Sequence, residues 1–140
     1  MADVGLIKAD VEDPNSLSEM AKKSRVVVNC VGPYRFYGEA VVKACVDNGA
    51  HHVDISGEPQ FLERMQLEYN AEAKEKKVYV VGACGFDSIP ADMGTVFLEE
   101  KFDGEVNAVE TFLDLKAKNG FHGHYATWQS GIFIYLKQIS

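Results

Sequence analysis

Runs of apolar, often β-branched residues alternate with segments of helical period along most of this chain, and few folds accept that order. "GLIKAD" (5–10), "RVVVNCV" (25–31), "HHVDIS" (51–56) and "VYVVGA" (78–83) read as strands. "RVVVNCV" is apolar throughout, as expected of a strand buried on both faces of a parallel sheet. Between the strands, "PNSLSEMAKK" places Leu17, Met20 and Ala21 on one helical face. "GEAVVKACVDNG" does the same with Val41, Ala44, Cys45 and Asn48, and Gly49 is a suitable stop. "PQFLERMQLEYNAEAKEKK" aligns Leu62, Met65, Tyr69 and Ala73, and "PADMGTVFLEEKF" predicts a fourth helix. This order argues for βαβ units and a parallel sheet. The alternation stops at "VNAVETFLDLK" (106–116), which reads as a longer strand, and "NGFHGHYATWQSG" after it has no clear pattern.

Pro14, Pro33, Pro59 and Pro90 each fall at a strand-to-helix junction. Proline suits the first helical turn, where its missing N–H is not needed. Asp13, Glu58 and the pair Asp87 and Ser88 supply oxygens for the free amides there. All four junctions share one edge of the sheet. They read "ADVEDP", "NCVGPYRFYG", "DISGEP" and "GACGFDSIP", against the plain "KKSR", "DNGAH" and "KEKK" at the opposite edge. Ligands of open α/β sheets bind beyond the carboxyl ends of the strands. The competing account is that such turns need Gly, Asp and Ser in any case.

Several groups on that edge carry usable chemistry. Asp10 can accept hydrogen bonds from an adenine amino group or cap the next helix. Asn29 offers donors and an acceptor at a strand exit, and Gly32 permits close backbone approach. Tyr34, Phe36 and Tyr37 can wall a flat ring beside Arg35, or fill space between helix and sheet. Asp54, Ser56 and Glu58 can orient a substrate or move a proton, or simply form a capped turn. Asp87, Ser88 and Asp92 favour self-capping over phosphate binding. His51 and His52 are expected at the opposite edge, and Trp128 in the core.

Other classes are disfavoured by composition. A net charge of −7 over 140 residues gives no basic surface for nucleic acid. No apolar run reaches the roughly 18 residues of a membrane span, and "MADVGLIKAD" lacks the pattern of a signal peptide. Cys30, Cys45 and Cys84 contain no CxxC and are expected as reduced, mostly buried thiols. His122 and His124 lack a third ligand, so no metal is expected. GxSxG, GxxxxGK[ST], HExxH and GxGxxG are all absent.

"NCVGPYRFYGEAVVKACVDNGAHHVDISGE" with "GFDSIPADMG" closely resembles the saccharopine dehydrogenase-like oxidoreductases, to which the mycobacterial trans-acting enoyl reductases are similar. The likeness covers roughly residues 6–112. It implies an α/β fold: the C-terminal part of a Rossmann-type doubly wound parallel sheet, plus the first strand of a second α/β domain. Residues 1–102 would be a partial NAD(P)-binding domain, without its first two strands and glycine-rich loop, and 103–140 the start of a truncated substrate domain. Residues 6–9 would be the third strand. By the same likeness Asp10 would lie near adenine, and Asn29, Val31, Gly32 and Pro33 on the ribose–nicotinamide side. Tyr34 and Tyr37 would face the cleft, with Glu58 and Asp87 nearby. Tyr34 and Glu58 are the candidates for catalytic proton handling or positioning.

The implied cofactor is NAD or NADP, bound weakly or not at all by this shortened chain. The implied reaction is hydride transfer to or from a carbonyl, imine or activated alkene of a small or lipid-like substrate. A homo-oligomer or complementing chain would supply what is missing. The expected location is intracellular and cytoplasmic, with lipid droplets or organelle surfaces as a setting. The competing reading is a non-catalytic interaction module, which the missing glycine turn favours.

Overall fold

In the computed structural model, residues 4–114, 116, 118, 120 and 123–136 are described, the last four by their backbone alone. The elements run α1 (Pro14–Lys22), β1 (Val26–Asn29), α2 (Tyr34–Asn48), β2 (His51–Asp54), α3 (Pro59–Lys76), β3 (Val80–Val81), α4 (Ile89–Lys101) and α5 (Tyr125–Leu136). The strands form a parallel sheet in the order β1-β2-β3. Val27 pairs with His52, and His52 with Val80. This is the mixed α/β arrangement of a Rossmann-type domain fragment, with helical crossovers as the alternation of periods demands.

The proline and glycine signals act as expected, whereas the expected caps Glu58 and Ser88 make no side-chain capping bond at α3 and α4. Asp13 accepts from the Asn15 amide at 3.0 Å, and Pro14 opens α1. Pro59 opens α3, and Pro90 lies in the first turn of α4. Gly49 ends α2 at φ 75°, a left-handed conformation that glycine adopts without steric cost. The Gly32–Pro33 peptide is cis, and Pro33 itself is the N-cap of α2. Helix α2 therefore starts at Tyr34, so the aromatics of "NCVGPYRFYG" form its first turn and not a loop.

Two apolar clusters cover one face of the sheet. Leu17 and Ala21 of α1 meet Val41, Ala44 and Cys45 of α2, with Val27 packed against them. Tyr34, Val42 and Val46 of α2 meet Phe61, Met65 and Ala73 of α3, with Val80 behind. At Gly38 α2 packs closely against Phe61 of α3. A Cβ there would stand 2.6 Å from the Phe61 ring, which is itself only 1% exposed.

Five expectations are corrected, the last being that the thiols are mostly buried. Residues 5–10 form no strand, and Leu6 is 97% exposed, because no other segment among the described residues pairs with them. Residues 106–114 likewise form no strand, so the first strand of a second domain is not seen there. β1 is not buried on both faces: Val26 and Val28 stand 51% and 64% exposed, since the helices cover only the Val27 side. Trp128 is not core. It lies exposed on α5, in the segment for which the sequence offered no pattern. Cys45 alone of the thiols is fully buried; Cys84 is half-buried and Cys30 exposed. Burial pushes the Cys45 thiol up to about 11.

The Gly38 contact sets a test with a sign. Glycine to alanine inside a helix normally gains roughly 0.5–1 kcal/mol. At Gly38 overpacking against an immobile ring costs about 1–3 kcal/mol and should win. At Gly94 of α4 nothing lies within 4 Å, so Gly94→Ala should show the ordinary gain. Urea unfolding of the two variants should move in opposite directions.

Candidate functional site

The β2–α3 turn is a ladder of side chain-to-backbone bonds. Asp54 accepts from the Ser56 amide at 2.9 Å, and the Ser56 hydroxyl accepts from the Glu58 amide at 3.1 Å. Short polar side chains favour such turns because they reach an amide two residues on. Asp54 also accepts from the Ala83 amide at 3.0 Å, and its carbonyl accepts from Cys84 at 2.7 Å, so the exit of β3 is tied to β2. Gly82 fits between Leu62 and the Asp54 carboxylate, where a Cβ would collide with Leu62.

Glu58 does not cap its own helix. Its carboxylate crosses to α2, accepting from the amides of Tyr34 at 2.8 Å and Arg35 at 3.2 Å and from Arg35 Nε at 3.0 Å. Ser130 Oγ of α5 donates to the same carboxylate at 2.8 Å. The group is 1% exposed. Burial alone would push its pKa up. The Arg35 guanidinium, the Ser130 hydroxyl and the two amides outweigh that and hold it below the usual carboxylate value. The positive end of α2 is thus filled by an internal anion.

Beside it, Asn29 joins β1 to β2. Its Oδ1 accepts from the Val31 amide at 3.0 Å, which turns its Nδ2 toward His52 Nε2 at 3.3 Å. His52 Nε2 must then accept, so the neutral ring carries its proton on Nδ1. Nδ1 has no hydrogen-bond partner, and Asp54 Oδ2 stands 3.9 Å away. Burial lowers the His52 pKa, against the pull of Asp54, so the ring is held neutral. Tyr34 donates its hydroxyl to the Asn29 carbonyl at 2.9 Å and packs its ring 5.5 Å from Phe61. Burial pushes the phenol up to about 12, with Asp54, Cys30 and Glu58 adding to it against a backbone bond at Ile55.

The structure therefore brings Asn29, Gly32, Pro33, Tyr34 and Glu58 together at one strand exit. Val31 is exposed beside them, and Pro33 is buried. Tyr37 sits further along α2, 39% exposed, edge-on to Phe36 at 6.2 Å. Asp10 and Asp87 stay exposed on the flanking turns, and Asp10 accepts from its neighbour Glu12 at 2.9 Å. His52, expected at the opposite edge, is instead brought to the site by its contact with Asn29, and Ser130 was missed from sequence. His52 had a readable signal: it shares a strand face with Asp54 two residues on. Ser130 had none, being 72 positions from its partner. Among the described residues no group of three His, Cys, Asp or Glu is placed to hold a metal. His122 lies outside them. A cavity of about 690 Å³ opens between α3 and β3, with Asp54 and Tyr69 in its lining, and it includes neither Asn29 nor Gly32.

Both buried groups make stability fall with acid, in separate windows. A depressed His52 pKa gives stability that is complete above the unfolded value of 6.5 and declines as pH falls below it. Glu58 acts likewise below its ordinary value of 4.5. In urea unfolding between pH 8 and 3, His52→Gln should flatten the upper window and Glu58→Gln the lower. At pH 7 Glu58→Gln should cost about 3 kcal/mol, as expected when a buried pair loses one partner.

Residues 2–81, which carry β1, α2, β2, α3 and β3, match the family described as "Saccharopine dehydrogenase NADP binding domain". The chain is 54% identical over 133 residues to the human "Saccharopine dehydrogenase-like oxidoreductase", covering 94% of this chain and 31% of that protein. It is 53% identical over 131 residues to the Caenorhabditis elegans "Lipid droplet localized protein", covering 93% of this chain and 31% of that one. A Mycobacterium tuberculosis protein assigned by name to the trans-acting enoyl reductases is 36% identical over 121 residues, 84% of this chain and 29% of its own. The chain thus spans about a third of the length of these relatives. No solved structure matches it. Among the described residues no helix is long and apolar enough to cross a membrane. This chain belongs to the saccharopine dehydrogenase NADP-binding domain family and groups with the saccharopine dehydrogenase-like oxidoreductases.

Proposed function

We propose that the chain contributes the nicotinamide-side edge of an NADP(H) site in a dehydrogenase or reductase. The observation that carries this reading is the Asn29–Pro33 exit of β1. It lies at the carboxyl end of a parallel strand, inside the segment that matches an NADP-binding domain, and Asn29 is pinned from both sides. Val31 and Gly32 present an exposed side chain and a glycine backbone where a flat ring and ribose can approach. Asp10, beside the turn preceding α1, is the group for the adenine side.

The residues fit a nicotinamide and ribose at this exit, and they do not fit a pyrophosphate at α2. Glu58 already occupies that helix end, and a second anion would meet a buried carboxylate at close range. The bound dinucleotide would supply hydride-transfer chemistry to a carbonyl, imine or activated alkene. Tyr34 and Glu58 act as positioning groups in this reading. The Tyr34 hydroxyl is committed to the Asn29 carbonyl with its pKa near 12, and Glu58 is committed to four donors. Tyr37 and Asp87, exposed on the same edge, are the groups left to face a substrate. A lipid-like substrate is the class consistent with the names of the nematode and mycobacterial relatives.

A second reading is an interaction module. The uncovered sheet face carries Val26, Val28, Ile55, Tyr79 and Val81, a contiguous apolar surface of the kind that marks a protein interface.

Calorimetric titration with NADPH and NADH separates the two. Weak binding of NADPH is expected, and Asn29→Ala should weaken it about tenfold more by freeing the β1 exit that its two bonds hold. Absence of binding of either dinucleotide at millimolar concentration would overturn the claim that this chain takes the cofactor unaided and leave the interaction reading.

A further inference from the structure

Helix α5 touches the site at two points. Ser130 Oγ donates to Glu58 Oε1 at 2.8 Å. One helical turn earlier, Ala126 Cβ stands 3.6 Å from where a side chain on Gly32 would begin. Residues 126 and 130 are four apart, so both contacts come from one face of the helix. Away from that face α5 is open: Tyr125 and Trp128 are each 69% exposed. No apolar core cluster includes α5 among the described residues. Among the described residues, the polar tie between this helix and the sheet edge is thus one charge-assisted hydrogen bond, to a carboxylate that also fixes α2.

We propose that Ser130 is a positioning residue, which pins α5 across the Gly32–Pro33 turn and makes this helix the outer wall of the ligand edge. The wall function rests on the NADP(H) reading above; the pin itself does not. Ser130 acts through Glu58, and Gly32 is the turn residue that lets the wall sit close. A Cβ at Gly32 would only touch Ala126, so the approach is close without being sealed.

The contact geometry supplies the test. Cβ atoms about 3.5–4.5 Å apart suit a disulfide, and the 3.6 Å separation at positions 32 and 126 lies within that range. The paired substitutions Gly32→Cys and Ala126→Cys, with Cys30→Ser to remove a neighbouring thiol, should cross-link readily under mild oxidation. Adding Ser130→Ala should slow the cross-link about tenfold, the equivalent of one charge-assisted hydrogen bond. Ser130→Thr, which keeps the hydroxyl, should restore the rate. Far-UV circular dichroism checks that each variant is folded. A pair that does not cross-link, or a rate indifferent to Ser130→Ala, would overturn the pin. Calorimetry with NADPH then tests the wall: the oxidised pair should bind at least tenfold more weakly than the reduced pair. Equal affinity would overturn the wall. Failure of the reduced pair and of the unmodified chain to bind NADPH would instead overturn the cofactor reading, while the cross-linking rates still decide the pin.

Discussion

The carboxylate of Glu58 is the constraint on which the site depends. It is taken out of water and meets four donors from two helices. A buried charge is tolerated only when it is paired and its lone pairs are used. Here the partner set is the amide end of α2, the Arg35 guanidinium and one hydroxyl. Removing the charge would orphan the amides; removing the amides would strand the charge. That mutual dependence fixes where α2 begins. It therefore fixes Pro33, the Gly32 turn and the direction in which the chain leaves β1.

The second constraint runs across the strands. Asn29 is pinned by the Val31 amide and His52, and Asp54 by the Ser56 and Ala83 amides. Each strand end is thereby tied to a neighbouring strand or turn by a side chain lying on the helix-covered face. The bonds rigidify three consecutive exits, taking up the Val31 amide and leaving the Val31 side chain exposed. One polar atom, His52 Nδ1, is left without a bond at 3.9 Å from a carboxylate. A small electrostatic attraction there partly offsets the loss of a hydrogen bond.

Most of the fold was legible because its determinants are local. Helical period, the four prolines and Gly49 act within a turn or two of their own position, and α1, α3 and α4 form where the pattern predicts, while α2 begins earlier, at Tyr34. What failed required partners. "GLIKAD" has strand composition, but a strand exists only by pairing, and nothing described lies beside it. "VNAVETFLDLK" misleads for the same reason. "RVVVNCV" suggested two covered faces because composition records what a strand tolerates and not what covers it. In the site, "DISGE" was read as both a capped turn and a proton-handling group, and the spacing could not choose between them. The choice came from Tyr34 and Arg35, more than twenty residues away in sequence but adjacent in space.

The occupied end of α2 bears on how this domain can hold an anion at all. In a dinucleotide fold the first helix offers its free amides to the pyrophosphate. Helix α2 has the same geometry, following a parallel strand and a tight turn, and so would compete for the same phosphate if left open. Glu58 closes it. Its negative charge satisfies the amides and neutralises Arg35, so a diphosphate approaching this edge finds no cationic helix end and meets Asp54 and Glu58 instead. The nicotinamide ring, uncharged in the reduced cofactor and cationic in the oxidised one, faces no such repulsion, and neither does its ribose. In the proposed cofactor reading, the arrangement sorts the two ends of one ligand, admitting the ring and ribose at the β1 exit and turning the phosphates elsewhere.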